Sequence, residues 1–115
     1  MVVLRLQLLI NEQSCNIASI ISETASNTAS ANIVVPVMVS IAGAAGVQGV
    51  VPAVGATIGA SMGFMLPVST PPNALIYGTR QVTIFQMVRT GLLLDLLGGL
   101  VLWAYLSYLA GLWFR

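Results

Sequence analysis

Apolar positions crowd the chain from Ala29 onward, and their arrangement divides it into elements. Ala29 to Ala45 ("ASANIVVPVMVSIAGAA") carries Val, Ile and Met all round a helix rather than along one stripe, the pattern of a helix surrounded by lipid or protein. Pro36 should bend it by removing one backbone hydrogen bond. Gly46-Val47-Gln48-Gly49 then reads as a tight turn closing a helical hairpin. The next helix is expected from about Val51 to Leu66, with Pro52 in its first turn, where a missing N–H costs little. In "MLPVSTPPNALIYGTR", Pro67, Pro71 and Pro72 each remove a donor and push the preceding residue out of the helical region. A broken helix over 51–79, unwound at 67–73 and restarting as the short half Ala74 to Gly78, is the expectation. Residues 82–91 read as an interfacial stretch. Thr90 to Phe114 is the clearest single span, with Trp103, Tyr105, Tyr108 and Trp113 in its far half and Arg115 as a charged anchor.

The first twenty residues follow another pattern. Arg5 and Gln7 interrupt Val2 to Ile10, and Asn11, Glu12, Gln13 and Ser14 cut the apolar run at about half the length of a bilayer crossing. Residues 1–20 are therefore read as an atypical segment, short of a full span and unlike a signal peptide.

Composition turns this pattern into a membrane assignment. Of 115 residues, 57% are hydrophobic and only 6% charged, and the mean hydropathy of +0.96 is far above that of ordinary soluble domains. No Asp, Glu, Lys or Arg occurs from Thr24 to Thr79, a block long enough for two crossings. A net charge of +1 without a basic cluster excludes a nucleic-acid footprint. With Cys15 as the single cysteine and no histidine, the chain has no disulfide, no Cys/His metal set and no Ser/His/Asp triad, so it does not read as an enzyme. Arg80 and Arg89 before the final helix and Arg115 after it favour a cytoplasmic start and an extracytoplasmic C-terminus. Asp95, about one turn into that helix as delimited, is either a functional ionisable group or, the preferred and plainer reading, a cap of the N-terminal turn at the headgroup level.

Two polar clusters remain. "SNT" (Ser26, Asn27, Thr28) precedes one apolar helix, and "STPPN" (Ser69 to Asn73) interrupts another. Irregular backbone at membrane depth is tolerated where protein buries it or water fills a cavity. Unwound carbonyls suit a hard cation such as Na⁺, and the N-termini of following half-helices suit an anion. The plainer alternative is that Ser26 to Thr28, and Thr70 with Asn73, are simple helix N-caps. Gly55, Gly59 and Gly63 add a bare stripe for close helix packing, either within the chain or on a partner.

At these residues the chain resembles the divalent anion/sodium symporter family, transporters of dicarboxylates, citrate and sulfate. Ser61, Phe64, Pro67 and Asn73 within "SMGFMLPVSTPPNALIYG" look like its signature segment, and "SETASNTAS" like its second SNT motif. "MVRTGLLLDLLGGLVL" is similar to its final helix, so the resemblance covers about residues 20–110. It implies an all-α membrane fold: a re-entrant hairpin with its tip at 22–30, the helix 29–45, the Pro-broken helix and the final helix 90–114. Ser26, Asn27, Thr28, Thr70 and Pro71 would bind substrate, and Ser22, Ala25, Asn27 and Ser69 would hold sodium. Ser69 and Ser22 depart from the Ala and Thr more frequent there. Na⁺ is the implied coupling ion, with no organic cofactor, and the substrate is a di- or tricarboxylate or sulfate.

The family fold has two inverted repeats, and one half-site is present. The expectation is thus a C-terminal, second-repeat portion, from a truncated gene, a mis-assigned start or a split transporter in the plasma or inner membrane. Its partners would be the bilayer, the remaining transporter half and, as a homodimer, a second copy. The alternatives are a small interaction subunit packing through its glycine face, or a non-functional truncated product.

Overall fold

The computed structural model describes residues 1–113, so the terminal Phe114 and Arg115, together with the Trp113 side chain of the expected aromatic belt, lie outside the described residues. The described residues form five helices, α1 (Val2–Thr24), α2 (Asn27–Ala44), α3 (Val50–Ala60), α4 (Pro71–Gly78) and α5 (Ile84–Trp113), and no strand. The chain is an all-α membrane protein. Two of its helices, over Asn27–Ala44 and Ile84–Leu109, are long and apolar enough to cross a bilayer.

The segment read as atypical is helical. Val2–Thr24 is one helix of 23 residues, in which Asn11 to Ser14 interrupt the apolar run without interrupting the helix. A helix satisfies its own backbone, and several polar side chains share its buried face: Gln7, Asn11, Ser14, Ser22 and Glu23 are buried, while Val3, Leu4, Leu6, Leu9, Ile17 and Ile20 are exposed. The outer face mixes these apolar side chains with Arg5, Glu12, Gln13 and Asn16. Gln7 shows how the inward groups are satisfied: its amide accepts from Gln48 N–H at 3.1 Å and donates to Gln48 C=O at 3.0 Å and Asn11 Oδ1 at 3.1 Å. These bonds clamp the α2–α3 turn, in which Gly46 supplies a φ of +70°.

The glycine stripe of α3 is what lets α1 come so close. A methyl group at Gly59 would collide with the Cys15 backbone, and one at Gly63 would lie 2.8 Å from Ser22 Oγ and 2.9 Å from Ser22 C=O. Partners at positions 11–15 and then 22 of α1 follow 55, 59 and 63 in order, so the two helices run the same way, with α2 returning between them. Ala18, Val34, Met38, Ala56 and Ala60 form the small core where the three meet. The stripe is therefore filled by α1, which removes it as a free face for a partner helix and overturns the interaction-subunit reading built on it.

α5 begins at Ile84, six residues earlier than expected at Thr90. Thr83 and Gln86 form a capping box, with Gln86 N–H donating to Thr83 Oγ1 at 3.3 Å and Thr83 N–H to Gln86 Oε1 at 3.1 Å. Asp95 therefore sits about three turns inside the helix. It is no terminal cap, which corrects the headgroup reading.

Candidate functional site

Between α1 and α2 the backbone leaves the helical region for two residues, Ala25 (φ −131°, ψ 171°) and Ser26 (φ −68°, ψ 149°). Between α3 and α4 it is irregular from Ser61 to Thr70. This second break starts well before the expected 67–73, and prolines do not cause its beginning. Glu23, at the end of α1, takes the donors: its Oε1 accepts from Phe64 N–H at 2.9 Å and Met65 N–H at 3.1 Å, and its Oε2 from Met65 and Leu66 N–H at 3.0 and 3.1 Å. Backbone donors engaged by a carboxylate cannot continue the helix. The carbonyl side is held by Asn73, whose Nδ2 donates to Leu66 C=O at 3.2 Å and Phe64 C=O at 3.4 Å.

Pro71 and Pro72 occupy the first turn of α4 and open that helix, which corrects their assignment to the unwound stretch. Thr70 caps it through Oγ1, which accepts from Asn73 N–H at 3.4 Å, and Ser26 caps α2 by accepting from Ala29 N–H at 3.2 Å. Capping uses a lone pair of each hydroxyl and leaves its proton free to donate elsewhere. Ser26 and Thr28 are exposed, as is Pro71; Asn27 and Thr70 are half-buried.

The two breaks are fastened to each other. The Oγ of Ser69, only 3% exposed, lies 3.0 Å from both Glu23 C=O and Glu23 Oε2, so its single proton serves one of the two at a time. Ser22, fully buried, bonds to Ala60 C=O, and its Oγ lies 2.6 Å from Asn27 Oδ1. One hydroxyl proton cannot serve two acceptors. With that proton on Ala60 C=O, the Asn27 amide must turn its NH₂ to Ser22 Oγ, which frees its oxygen. Of the expected sodium set, Ser69 is bonded to Glu23 and Ser22 is paired with Asn27, while Ser26, Thr28, Thr70 and Pro71 stand at the N-termini of α2 and α4.

Sequence reasoning gave Glu23 no role. The signal was present: it is the last charge before a block of more than fifty uncharged residues, three positions ahead of "SNT". No cluster of three or more His, Cys, Asp or Glu able to hold a metal ion occurs among the described residues.

Residues 16–114 match the family profile described as the sodium:sulfate symporter transmembrane region. Among curated relatives, the mouse (Mus musculus) Na(+)/dicarboxylate cotransporter 3 is 44% identical over 81 residues, 70% of this chain and 14% of its own length. The Rattus norvegicus Na(+)/citrate cotransporter is 36% identical over 85 residues, 74% of this chain and 15% of its own length. An uncharacterized transporter of Haemophilus influenzae is 49% identical over 76 residues, 66% of this chain and 16% of its own length. The chain thus spans about one sixth or less of the relatives it matches.

Proposed function

We propose that this chain, which belongs to the sodium:sulfate symporter transmembrane family, supplies one half-site of a sodium-coupled transporter for dicarboxylates or related divalent anions. The observation that carries the reading is the fastening of two backbone breaks by Glu23 and Ser69, with a helix N-terminus opening from each. The free N–H groups and dipoles of two helix starts favour an anion, and the hydroxyl protons of Ser26, Thr28 and Thr70 can donate to its oxygens. Pro71, with no N–H of its own, would shape the rim of this pocket.

A sodium ion fits beside the anion. Ala25 is extended, so its carbonyl is not committed to a helix, the Asn27 and Ser22 side chains pair beside it, and the Ser69 oxygen lies on the Glu23 carboxylate. No Lys or Arg lies in either break, so a divalent anion depends on a nearby cation for charge balance. Neither ion binds well alone, and this is the physical basis of coupling. In the complete transporter the α1–α2 hairpin, as a re-entrant arm, would move with α3 and α4 across the membrane against a scaffold, exposing the site to one side and then the other. This reading includes a plasma or inner membrane location with an extracytoplasmic C-terminus, a second-repeat position in the transporter, and pairing with the first repeat. The mouse and rat relatives bear dicarboxylate and citrate cotransporter names, which supports carboxylates as the first substrates to test.

Proteoliposomes carrying the chain together with a first-repeat half should accumulate labelled succinate only when Na⁺ is outside. Thr28→Ala and Asn27→Ala should each lower uptake by about 10-fold or more, the cost of one hydrogen bond to a charged group. Uptake that ignores Na⁺, or that survives both substitutions, would sink the reading.

A further inference from the structure

A groove that the half-site does not use runs along the α4–α5 pair. Phe64, Ile76, Val82, Met87 and Leu94 line it around a volume of about 580 Å³. Three polar side chains also reach it, but each already has a partner. Asn73 Nδ2 donates to the Phe64 and Leu66 carbonyls, Gln86 is paired with Thr83 in the capping box, and the Thr90 hydroxyl donates to Gln86 C=O at 2.8 Å. What is left for an occupant is apolar surface, which suits a hydrocarbon better than a polar solute.

One end of the groove opens into a second hollow, of about 700 Å³, which shares Val82 and is bounded by Tyr77, Arg80 and Thr83. Arg80 is exposed, and no Asp or Glu occurs between Glu23 and Asp95. Glu23 is engaged by backbone donors, and both Asp95 oxygens are sealed from solvent. The stretch that carries Arg80 therefore offers its guanidinium no carboxylate. Arg80 also stands at a strained position: its φ is +56°, in the left-handed region where glycine is relaxed, and its N–H closes α4 on Tyr77 C=O at 3.1 Å. An arginine at a position that favours glycine keeps its strain for the sake of the side chain. Depth agrees with this use. The apolar span of α5 starts at Ile84, just after Arg80, so the guanidinium lies at headgroup level and the groove follows α5 to Leu94 through about 15 Å of hydrocarbon.

We propose that the α4–α5 groove binds an anionic phospholipid, with its phosphate on Arg80 and one acyl chain along Phe64, Ile76, Val82, Met87 and Leu94. A cation at the mouth and an apolar wall behind it match the two ends of such a molecule. Phe64 belongs to the unwound segment and Ile76 to α4, so the acyl chain joins both to α5 and steadies the half-helix that opens from the second break.

Native mass spectrometry tests this on the full chain released from micelles that hold equal amounts of phosphatidylglycerol and phosphatidylcholine with the same acyl chains. The chain should retain one phosphatidylglycerol about 5-fold more often than phosphatidylcholine, the effect of one arginine beside an anionic lipid. Arg80→Gly, which removes the charge at a position that glycine favours and so leaves the fold intact, should abolish the preference. Arg89→Gln should keep it, because Arg89 is two residues from both Met87 and Gly91, a rotation of about 200° that puts it on the opposite face of α5. Ile76→Trp, which fills the groove, should lower retention of both lipids. Equal retention of the two lipids by the unaltered chain, an undiminished preference in Arg80→Gly, a comparable loss in Arg89→Gln or unchanged retention in Ile76→Trp would overturn the proposal. So would displacement of the lipid when a first-repeat half is bound, which would assign the groove to protein.

Discussion

A single carboxylate, that of Glu23, receives Phe64, Met65 and Leu66 N–H and the Ser69 hydroxyl, and each of those donors belongs to the segment that must not be helical. Glu23→Gln keeps one acceptor oxygen but sets an NH₂ group against backbone donors. The expected outcome is a loss of about 2–4 kcal/mol in unfolding experiments in detergent, given the strength of hydrogen bonds to a buried charge. Amide exchange at Phe64, Met65 and Leu66 should quicken well beyond that of α2. Ser26 and Thr70 cap α2 and α4 through a lone pair of each hydroxyl, which leaves the proton free for the substrate contact proposed above. The two interpretations that the sequence set against each other are therefore compatible.

Among the elements, α1 and α3 depend on each other through glycines. Gly59 faces the Cys15 backbone with no space for a methyl group, and Gly63 faces Ser22 with little more. Gly59→Ala should force the helices apart and cost about 1–3 kcal/mol, the range for overpacking a tight contact. A fall in melting temperature in detergent, with helix content retained, is the measurement that checks it; an unchanged melting temperature would mean that α1 does not pack on this stripe. The elements also show where local reading succeeds. The spacing of apolar residues placed a helix at 29–45, close to the observed Asn27–Ala44, because an apolar helix bounded by polar and glycine residues is a local pattern. The start of α5 was missed although its signal is equally local, the Thr-x-x-Gln of a capping box. In α1 the helical spacing of polar side chains at positions 7, 11, 14 and 22 puts them on one buried face, a relation that counting along the chain does not show.

For the molecule as a whole, the exposed surface is the informative part. Leu92, Leu93, Leu96, Leu97, Leu100 and Val101 on α5 are all exposed, as are Ile33, Val37 and Ile41 on α2, so the apolar surface turns outward on both candidate spans. Such a surface requires lipid or further protein around it. In cell fractionation the chain should sediment with membranes, resist extraction by alkaline carbonate or high salt, and dissolve only in detergent. Release by carbonate would contradict the spanning assignment.

By itself the sequence determined that this is a helical membrane chain of the symporter family, that it carries two polar breaks, and that it has no basic patch, one cysteine and no histidine. Those properties rest on composition, periodicity and short motifs, all of which act over a few residues. Tertiary structure alone decided that Gln7, Asn11, Ser14 and Ser22 form a buried polar face of α1, that the glycine stripe is already covered, and that the second break begins at Ser61. It also brought the backbone N–H groups of Phe64, Met65 and Leu66 onto Glu23, more than forty positions away in the sequence. Each depends on a partner distant along the chain, because a buried polar group is made tolerable only by the donor or acceptor that folding delivers to it. The polar cluster Ser22 to Ser30 shows both levels: its sequence announces a break, and Glu23 within it determines what the break is joined to.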